Sequence, residues 1–536
     1  MPNVAHLLRD HVSLSIACID RIYVNGWMPK LQTSGGLVWF LTKHLGKPIA
    51  SPALFGPIHD RFVNDIHAFA ADHHVPEVDF ARGERKDDVA AGYRSKFTDP
   101  EGVVFIGVAQ EKAWSFKAHK GHGDNGVVSF DFSRQWAFVN HYYFYVQDAE
   151  WGPAFVKVGS YLPYPVRLCL NGHEWAKQQL RREGIGFESL DNGFLSCEDP
   201  VRLQAICDRL GPSDVQDFFN RWCLRLPWPL TVEDRQAGYL HKLSLWQIEM
   251  SLTEVFDRPV HGREFFDQLI RDNLDLGRPD RVSLLFPTRL TKRTPPPTFG
   301  YRTRIITDGV QPSLHVDYKS THVKQYFKEG HALRTETTIN DPKDLGVNKA
   351  IEHMPRLRSL GQEINRKLLE VERISQDCHL SQDELETLQR PVVVDDQRVP
   401  ALRFGDMRVM ALMAALCLFL NLPDGFSNRG LRRHLAALLG VEPNTYTPGR
   451  MTYDLRRLRL RGLIERIGRT NRYRVVPLGL RIAYFYTKVF RRILRPGWAA
   501  LIDRDDSVPR PLRAAFREVD REIARLCEAA VLRMAA

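Results

Sequence analysis

The chain has 536 residues, of which 43% are hydrophobic and 10% aromatic, and its formal net charge is +11. This apolar content is ordinary for globular proteins and excludes disorder as the dominant state. The length predicts roughly two to four domains.

The positive charge is concentrated near the C-terminus. Residues 402–536 hold 26 Lys and Arg against 12 Asp and Glu, a net charge of +14, whereas the rest of the chain sums to −3. A basic module attached to a near-neutral body is typical of proteins that bind nucleic acid. A solvated basic face, or a surface for acidic lipid or protein, is the alternative.

The eight cysteines include no Cys-x-x-Cys pair, which disfavours a zinc ribbon. Several lie in apolar runs, as buried thiols do in a reducing compartment. Charged residues recur from Arg9 onward, unlike in a signal peptide, and the longest apolar stretch, 409–422, is too short to cross a bilayer. We therefore expect a cytoplasmic protein with no membrane partner.

Strand-like and helix-like patterns alternate in the first part of the chain. The segment 13–24 is β-branched and apolar, and 103–108 is a short apolar run, so both predict strands. Between them, 61–73 has a helical pattern. This alternation predicts an α/β fold for residues 1–165.

The middle of the chain is predicted to change from helices to strands. Residues 166–291 are mostly helical in pattern, and Asn171 is suited to cap a helix over 172–183. Three consecutive prolines in 292–298 predict a linker. Four strands are then expected over 301–339, followed by a helix at 355–374 and a connector at 390–400.

Three helices are predicted between residues 407 and 462. The first is the apolar segment 407–420. Ser427 is a suitable N-cap for the second, which should end at Gly440. Thr447 followed by Pro448 fits the start of the third helix.

The third of these helices has two different faces. Met451, Leu455 and Leu458 share one face, as expected for core residues. The opposite face and its flank carry candidate nucleic-acid contacts: Arg450, Tyr453, Arg456 and Arg457. Arginine forks match phosphates and guanine edges, so this face suits a recognition helix.

Two short strands, at 463–467 and 472–476, surround a turn containing Gly and Asn and predict a hairpin. Arg469 and Arg472 lie near its tip, where we expect them to reach a neighbouring phosphate backbone or groove. Residues 478–490 predict a closing helix.

The order helix–helix–helix–hairpin–helix, with LRLRGLIER at 458–466, resembles the winged helix of MarR-type regulators. The resemblance implies a winged helix-turn-helix fold that binds DNA, with RNA as a further possible partner. It does not identify a small-molecule ligand or an operator sequence. A winged helix that contacts only protein is the alternative.

The whole chain also resembles a family of full-length bacterial proteins, through the segments 157–180, 324–341 and 449–466, and this resemblance implies no activity. The predicted fold is an α/β multi-domain body with a C-terminal winged-helix domain. The expected ranges are 1–165 (α/β), 166–291 (mostly helical), 299–345 (β-rich), 346–385 (helical), 401–497 (winged helix) and 498–536 (helical tail).

A second basic surface is predicted on the strands near residue 325. Alternation places Lys324, Tyr326 and Lys328 on a common face, where they could offer a stacking plane and phosphate contacts. A solvated face of an ordinary sheet is the favoured interpretation.

Three carboxylates are candidates for a metal-dependent nuclease site. Asp20 ends the first apolar run, an arrangement similar to the first strand of ribonuclease-H-like folds, and Asp317 and Glu336 lie on later strands. Together they could hold Mg²⁺. No fixed spacing links them, so solvated or salt-bridged carboxylates are the default interpretation. Outside this alternative we predict no cofactor and no metal.

The sequence therefore leaves three hypotheses about function. The first is a nucleic-acid-binding protein anchored by its winged helix. The second is a metal-dependent nuclease or other nucleic-acid-processing enzyme of a mobile element or defence system. The third is a protein-interaction scaffold.

Overall fold

The computed structural model of the chain describes residues 5–81, 83–122, 128–276, 301–308, 311–418, 425–442, 444–490, 494 and 510–535. These residues belong to two compact units. We call the described residues of 9–276 and 301–365 the body. The described residues of 366–535, with 5–8, form the C-terminal unit. The predicted linker 292–298 lies outside the described residues.

The body is built on one large sheet. Its strands and one separate hairpin (β7 and β8) are, in chain order, β1 (Val12–Trp27), β2 (Glu77–Asp79), β3 (Gly102–His122), β4 (Val128–Asp148), β5 (Gly152–Gly159), β6 (Val166–Asn171), β7 (Phe187–Ser189), β8 (Phe194–Cys197), β9 (Lys242–Phe256), β10 (Tyr301–Asp308), β11 (Gln311–Tyr318), β12 (Thr321–Lys328) and β13 (Ala332–Ile339). The order of the eleven-stranded sheet is β10-β11-β12-β13-β9-β1-β6-β5-β4-β3-β2. The pair β2–β3 is parallel, and the other pairs are antiparallel.

Helices connect and cover these strands. They are α2 (Ser34–Trp39), α3 (Phe55–Asp72), α4 (Lys86–Arg94), α5 (Gly172–Glu183), α6 (Pro200–Arg209), α7 (Pro212–Arg225), α8 (Val232–Gln236), α9 (Pro259–Leu276) and α10 (Met354–Gln376), whose residues after Asn365 belong to the C-terminal unit. Most of α1 (Ala5–Asp10) belongs to the C-terminal unit as well. None of the described helices is both long and apolar enough to span a bilayer.

The α/β alternation expected for the first 165 residues is confirmed, as are four strands between 301 and 339. The expectation of a mostly helical region at 166–291 is wrong at β9. Residues 243–253 of β9 alternate apolar and polar with one interruption at 246–247, a strand pattern that the helical interpretation overlooked. Strands from three of the predicted ranges join the same sheet.

Two helices approach the middle of the sheet closely. On one face, Asn365 of α10 donates from Nδ2 to the backbone O of Met250 at 3.0 Å. On the other, α5 begins at Gly172, where a Cβ would lie only 2.1 Å from the backbone O of Ile19. Only glycine permits this approach, which brings the next residue, His173, against β1.

The C-terminal unit contains α11 (Gln382–Gln389), β14 (Val392–Val394), β15 (Gln397–Val399), α12 (Met407–Leu418), β16 (Phe426–Ser427), α13 (Asn428–Leu439), α14 (Pro448–Leu460), β17 (Ile464–Arg466), β18 (Arg472–Val475), α15 (Pro477–Val489) and α16 (Arg510–Ala535). The strands β16, β18 and β17 form a small sheet in that order. The expected connector at 390–400 is instead the hairpin β14–β15. Asp395 and Asp396 form its turn with positive φ values of 49° and 57°, a role that Asn-Gly fills more often.

The predicted helix ends in this unit are confirmed. The Ser427 side chain accepts from the backbone N of Gly430, and Gly440 ends α13 in the left-handed conformation. The Thr447 side chain accepts from the backbone N of Arg450, and Pro448 occupies the first turn of α14. Apolar residues of α11 to α15 and the small sheet form one buried core.

Candidate functional site

Helix α14 is anchored by its apolar face and by a buried acid. Met451, Leu455 and Leu458 are buried in the core of the unit. Asp454 is fully buried, and its Oδ2 accepts a hydrogen bond from Arg408 Nη2 of α12 at 2.8 Å and another from the Tyr446 hydroxyl. These contacts fix α14 against α12 and determine which side of the helix remains exposed.

The exposed side of α14 is basic and aromatic. Arg450, Tyr453, Arg456 and Arg459 are all exposed, and Tyr453 retains 41% of its accessible surface. Residues 450, 453 and 456 follow one another at the three-residue spacing that keeps side chains on one helix face. Arg456 Nη2 donates to Gln397 Oε1 of the neighbouring hairpin at 2.7 Å. The face therefore combines cations with a stacking plane.

The expected place of Arg457 on this exposed face is wrong. Arg457 is 7% exposed, and its Nη2 lies 3.7 Å from Asp454 Oδ1, one turn earlier in the helix. The buried carboxylate draws the guanidinium inward. Its long aliphatic stem also covers apolar surface beside the core. Arg457 belongs to the internal support of α14.

The hairpin β17–β18 presents a different arginine at its tip. Arg469 is exposed and has a φ of +56°, and the turn beside it is braced by Arg466, whose Nε donates to the backbone O of Thr470 at 2.7 Å. Arg472 is half-buried and donates from Nη2 to the backbone O of Gly425 at 2.6 Å. Of the two arginines expected at the tip, Arg469 is presented outward, whereas Arg472 supports the small sheet.

A second group of charged residues lies in the middle of the body sheet. Ile19 pairs with Met250 and Ile22 with Ile248, so Asp20 and Arg21 together oppose Glu249. This β-bulge turns two consecutive side chains towards one face of the sheet, a feature that is over-represented near active sites. Asp20 therefore ends the first apolar run, as the sequence shows, and lies at a bulge inside β1.

Asp20 is almost completely buried and is held by Arg334. Arg334 Nη2 lies 2.5 Å from Asp20 Oδ2, and Asn192 Nδ2 also donates to the carboxylate. Burial alone would raise the pKa of Asp20, but His173 and the positive charge of Arg334 hold it well below its usual value. His173 Nδ1 is 3.6 Å from Asp20 Oδ1, too long for a good hydrogen bond, so Arg334 makes the main compensating contact.

Arg334 also joins Asp20 to Glu336. Its Nε donates to Glu336 Oε1 at 2.7 Å, and the Tyr326 hydroxyl donates to the same oxygen at 2.9 Å. The ammonium of Lys324 lies 4.3 Å from the centre of the Tyr326 ring. Two of the three predicted carboxylates, Asp20 and Glu336, are thus brought together through one buried arginine.

The predicted basic surface on β12 is only partly open. Lys324 and Tyr326 are half-buried, but Lys328 is buried, and its Nζ donates to Asp191 Oδ2 at 3.0 Å. The expectation of Lys328 as an exposed contact is wrong, because its charge is neutralised inside the body.

Asp317 lies apart from this group, on β11. Its carboxylate contacts His322 Nδ1 at 2.5 Å, His322 Nε2 lies 2.8 Å from His315 Nδ1, and His315 Nε2 lies 2.8 Å from the Ser313 hydroxyl. Such a chain can pass a proton along its length. It does not bring Asp317 to Asp20.

Glu249 was not anticipated from the sequence. Burial, followed by the charges of Asp20 and Glu336, raises its pKa to about 7, and Thr338 Oγ1 donates to Glu249 Oε1 at 2.9 Å. A carboxyl group that titrates near neutrality can act as an acid or a base. The residue was missed because β9 itself was not predicted.

No family model, no curated protein and no solved structure matches this chain.

Proposed function

We propose that this protein binds nucleic acid through residues 407–489, which we interpret as a winged helix-turn-helix domain. The succession helix–strand–helix–helix–hairpin–helix supports this interpretation, as does the pairing of the short strand β16 with β18 of the hairpin. In this interpretation α14 is the recognition helix and β17–β18 is the wing.

The observation that carries the proposal is the exposed face of α14. Arg450, Tyr453 and Arg456 face outward from a helix whose opposite side is fixed in the core by Asp454. A rigidly held helix with outward arginines suits both phosphate and base-edge contacts. Arg469 on the wing would add a contact to the adjacent backbone or groove.

Duplex DNA is the proposed ligand. The net charge of +14 in residues 402–536 favours a polyanion, and a helix of this kind fits the major groove of B-form DNA. The deep, narrow major groove of an RNA helix does not admit such contacts, so RNA binding would have to use single-stranded or irregular regions.

The test uses the full chain with labelled duplex DNA, single-stranded DNA and structured RNA across a salt series. We expect duplex binding that weakens steeply as salt rises from about 50 to 200 mM, because phosphate contacts release counterions. Arg450→Ala and Arg456→Ala should each weaken binding and lower the salt slope by about 1.

Arg390→Ala is the matched control. Arg390 is an exposed arginine in the same unit, and it lies at the C-terminal end of α11, where it pairs with Glu386. It should bind as the wild type does. Equal losses in all three variants would indicate a non-specific charge effect. Absence of binding to any of the three ligands would overturn the proposal and favour a domain that contacts protein.

A second candidate function is nucleic-acid hydrolysis in the body. The observation that favours it is the position of Glu249 beside Asp20 and Glu336 on one face of the sheet, with a pKa of about 7. Glu249 and Glu336 would supply oxygen ligands for Mg²⁺ or an acid–base group. Asp20 is less available, since Arg334 already occupies its carboxylate.

Glu249→Gln tests this candidate more cleanly than Asp20→Ala. The amide keeps the size of the neutral acid, whereas removal of Asp20 takes one of two carboxylate partners from the buried Arg334 and would destabilise the body. Mg²⁺-dependent cleavage that is lost in Glu249→Gln, with an unchanged circular dichroism spectrum, would establish the activity. Absence of cleavage by the wild-type chain would reject it.

A further inference from the structure

Two histidines and one aspartate of the body meet where strands β1 and β9 end. His11 immediately precedes β1, and Asp257 immediately follows β9. Val12 pairs with Phe256, so His11 and Asp257 are the residues just beyond that last pair of the two antiparallel strands. The backbone N of Asp257 donates to the backbone O of His11 at 2.9 Å.

The third residue is brought to this point by helix α9. His261 lies four positions after Asp257, and its backbone N donates to the backbone O of Arg258 at 3.1 Å, within the first turn. The two imidazole rings have centroids 3.9 Å apart. Three side chains from two distant parts of the sequence therefore converge on one small volume.

Their donor atoms have the spacing of metal ligands. His11 Nδ1 lies 2.9 Å from Asp257 Oδ2, and His261 Nδ1 lies 2.7 Å from Asp257 Oδ1. Neighbouring ligands bound at about 2.1 Å are roughly 3 Å apart around an octahedral ion and roughly 3.4 Å apart around a tetrahedral ion such as Zn²⁺, so an ion requires these donor atoms to separate by only about 0.5–0.7 Å. Among the described residues this is the one cluster of three or more His, Cys, Asp or Glu side chains whose donor atoms all lie within 4.8 Å.

The ligand types of the cluster are also suitable. Each carboxylate oxygen of Asp257 faces the Nδ1 atom of one imidazole, so the cluster combines one carboxylate with two imidazoles. An anionic carboxylate with two imidazoles is the ligand set that divalent first-row transition ions prefer. The side chains are partly exposed, which gives an ion a path of entry.

We propose that His11, Asp257 and His261 form a binding site for a divalent transition-metal ion such as Zn²⁺ or Co²⁺. In the bound state each neutral imidazole carries its proton on Nε2 and offers the lone pair of Nδ1 to the ion, so no proton is lost from the rings. Three protein ligands leave at least one coordination position open to water or to an oxygen of another molecule. The ion also ties the start of β1 to the start of α9.

The test measures Zn²⁺ binding by calorimetry and the visible absorption of Co²⁺ on the untagged full-length chain. We expect one ion per chain in the wild type. His11→Ala and His261→Ala should each weaken binding at least about tenfold.

His67→Ala is the matched control. His67 is exposed and contacts Glu77 at 3.0 Å, so it forms a His–carboxylate pair without a third ligand. This variant should bind the ion as the wild type does, and the ion should raise the melting temperature of both. Wild-type binding no tighter than that of His11→Ala and His261→Ala would overturn the proposal, as would equal weakening in His67→Ala.

Discussion

Arg334 and Asp20 are separated by 314 positions in the sequence, yet their side chains are joined across 2.5 Å inside the body. Arg334 is fully buried and Asp20 nearly so. Two charges removed from water in this way are tolerated only because each neutralises the other and both make further hydrogen bonds. The pair links β13 to β1 although β9 lies between them.

Loss of Arg334 should therefore destabilise the body strongly. We expect Arg334→Met to lower the free energy of unfolding by about 3–5 kcal/mol, because Asp20 and Glu336 would be left buried without a cation. Tryptophan fluorescence in a urea series measures this, since nine of the ten tryptophans belong to the body. Arg202→Met, at an exposed pair with Glu183, should leave the unfolding midpoint nearly unchanged.

The double variant Asp20→Asn/Arg334→Met provides the internal check on this explanation. Removing both charges should recover part of the stability that Arg334→Met loses, because no ionised Asp20 then remains in the interior. A double variant no more stable than Arg334→Met would show that packing, not charge, accounts for the effect.

Glu249 should make the body less stable as the pH rises towards neutrality. Its pKa is raised from 4.5 to about 7 in the fold, chiefly by burial, so the unfolded chain releases this proton more readily than the folded chain. The free energy of unfolding should then fall between pH 4.5 and 7, by at most about 3 kcal/mol from this group, and level off above 7.

Comparison with Glu249→Gln isolates this contribution. The amide cannot ionise, so the difference in stability between the variant and the wild type should grow in favour of the variant from pH 4.5 to 7. Denaturant series at several pH values measure that difference. A difference that does not change with pH would mean that Glu249 titrates as an ordinary exposed acid.

The sequence predicted those elements whose structure depends on nearby residues. Helix α14 was found from Thr447 and Pro448 at its start and from the spacing of Met451, Leu455 and Leu458, all of which act within a few residues. Strand β9 was missed although residues 248–253 alternate apolar and polar, because the segment was assigned with the helices that flank it.

The charged group in the body could not be predicted by such local signals. The sequence analysis proposed Asp20 and Glu336 together. It could not predict that Arg334 joins them or that Glu249 faces the bulge, because both contacts depend on the strand order and register of the sheet. Arg457 was misplaced for a related reason. Its helical position borders the exposed face, and only the burial of Asp454 explains why its side chain turns inward.

Arg456 and Arg457 are adjacent in the sequence but should respond to substitution in opposite ways. Arg456→Ala should weaken DNA binding and lower the salt slope, with no change in the stability of α14, because its side chain is exposed. Arg457→Ala should leave the salt slope unchanged but destabilise the helix by about 1–3 kcal/mol, since it removes buried packing and a partner of Asp454. Hydrogen exchange of the α14 amides reports stability, and the binding assay reports the slope.

This pair of neighbours distinguishes a binding face from general basicity, because both variants remove one positive charge from the same helix. If Arg456→Ala and Arg457→Ala lowered the salt slope equally, the exposure of Arg456 and the burial of Arg457 would not determine which arginine contacts DNA. If neither did, the nucleic-acid contacts would lie elsewhere or be absent.

At the tip of the hairpin, Arg469 combines an exposed charge with a φ of +56°, a conformation that costs most side chains roughly 1 kcal/mol. Asparagine tolerates this conformation better than arginine. Arg469→Asn should therefore keep or raise the stability of the hairpin, by up to about 1 kcal/mol, while it lowers the salt slope of DNA binding by about 1. If Arg469 served only the folding of the hairpin, Arg469→Asn would leave DNA binding unchanged. If the substitution weakened the fold, both the stability and the DNA binding would fall. Increased or equal stability with reduced binding is the combination expected of a wing that contacts phosphate, and thermal unfolding measured beside the salt series separates the three outcomes.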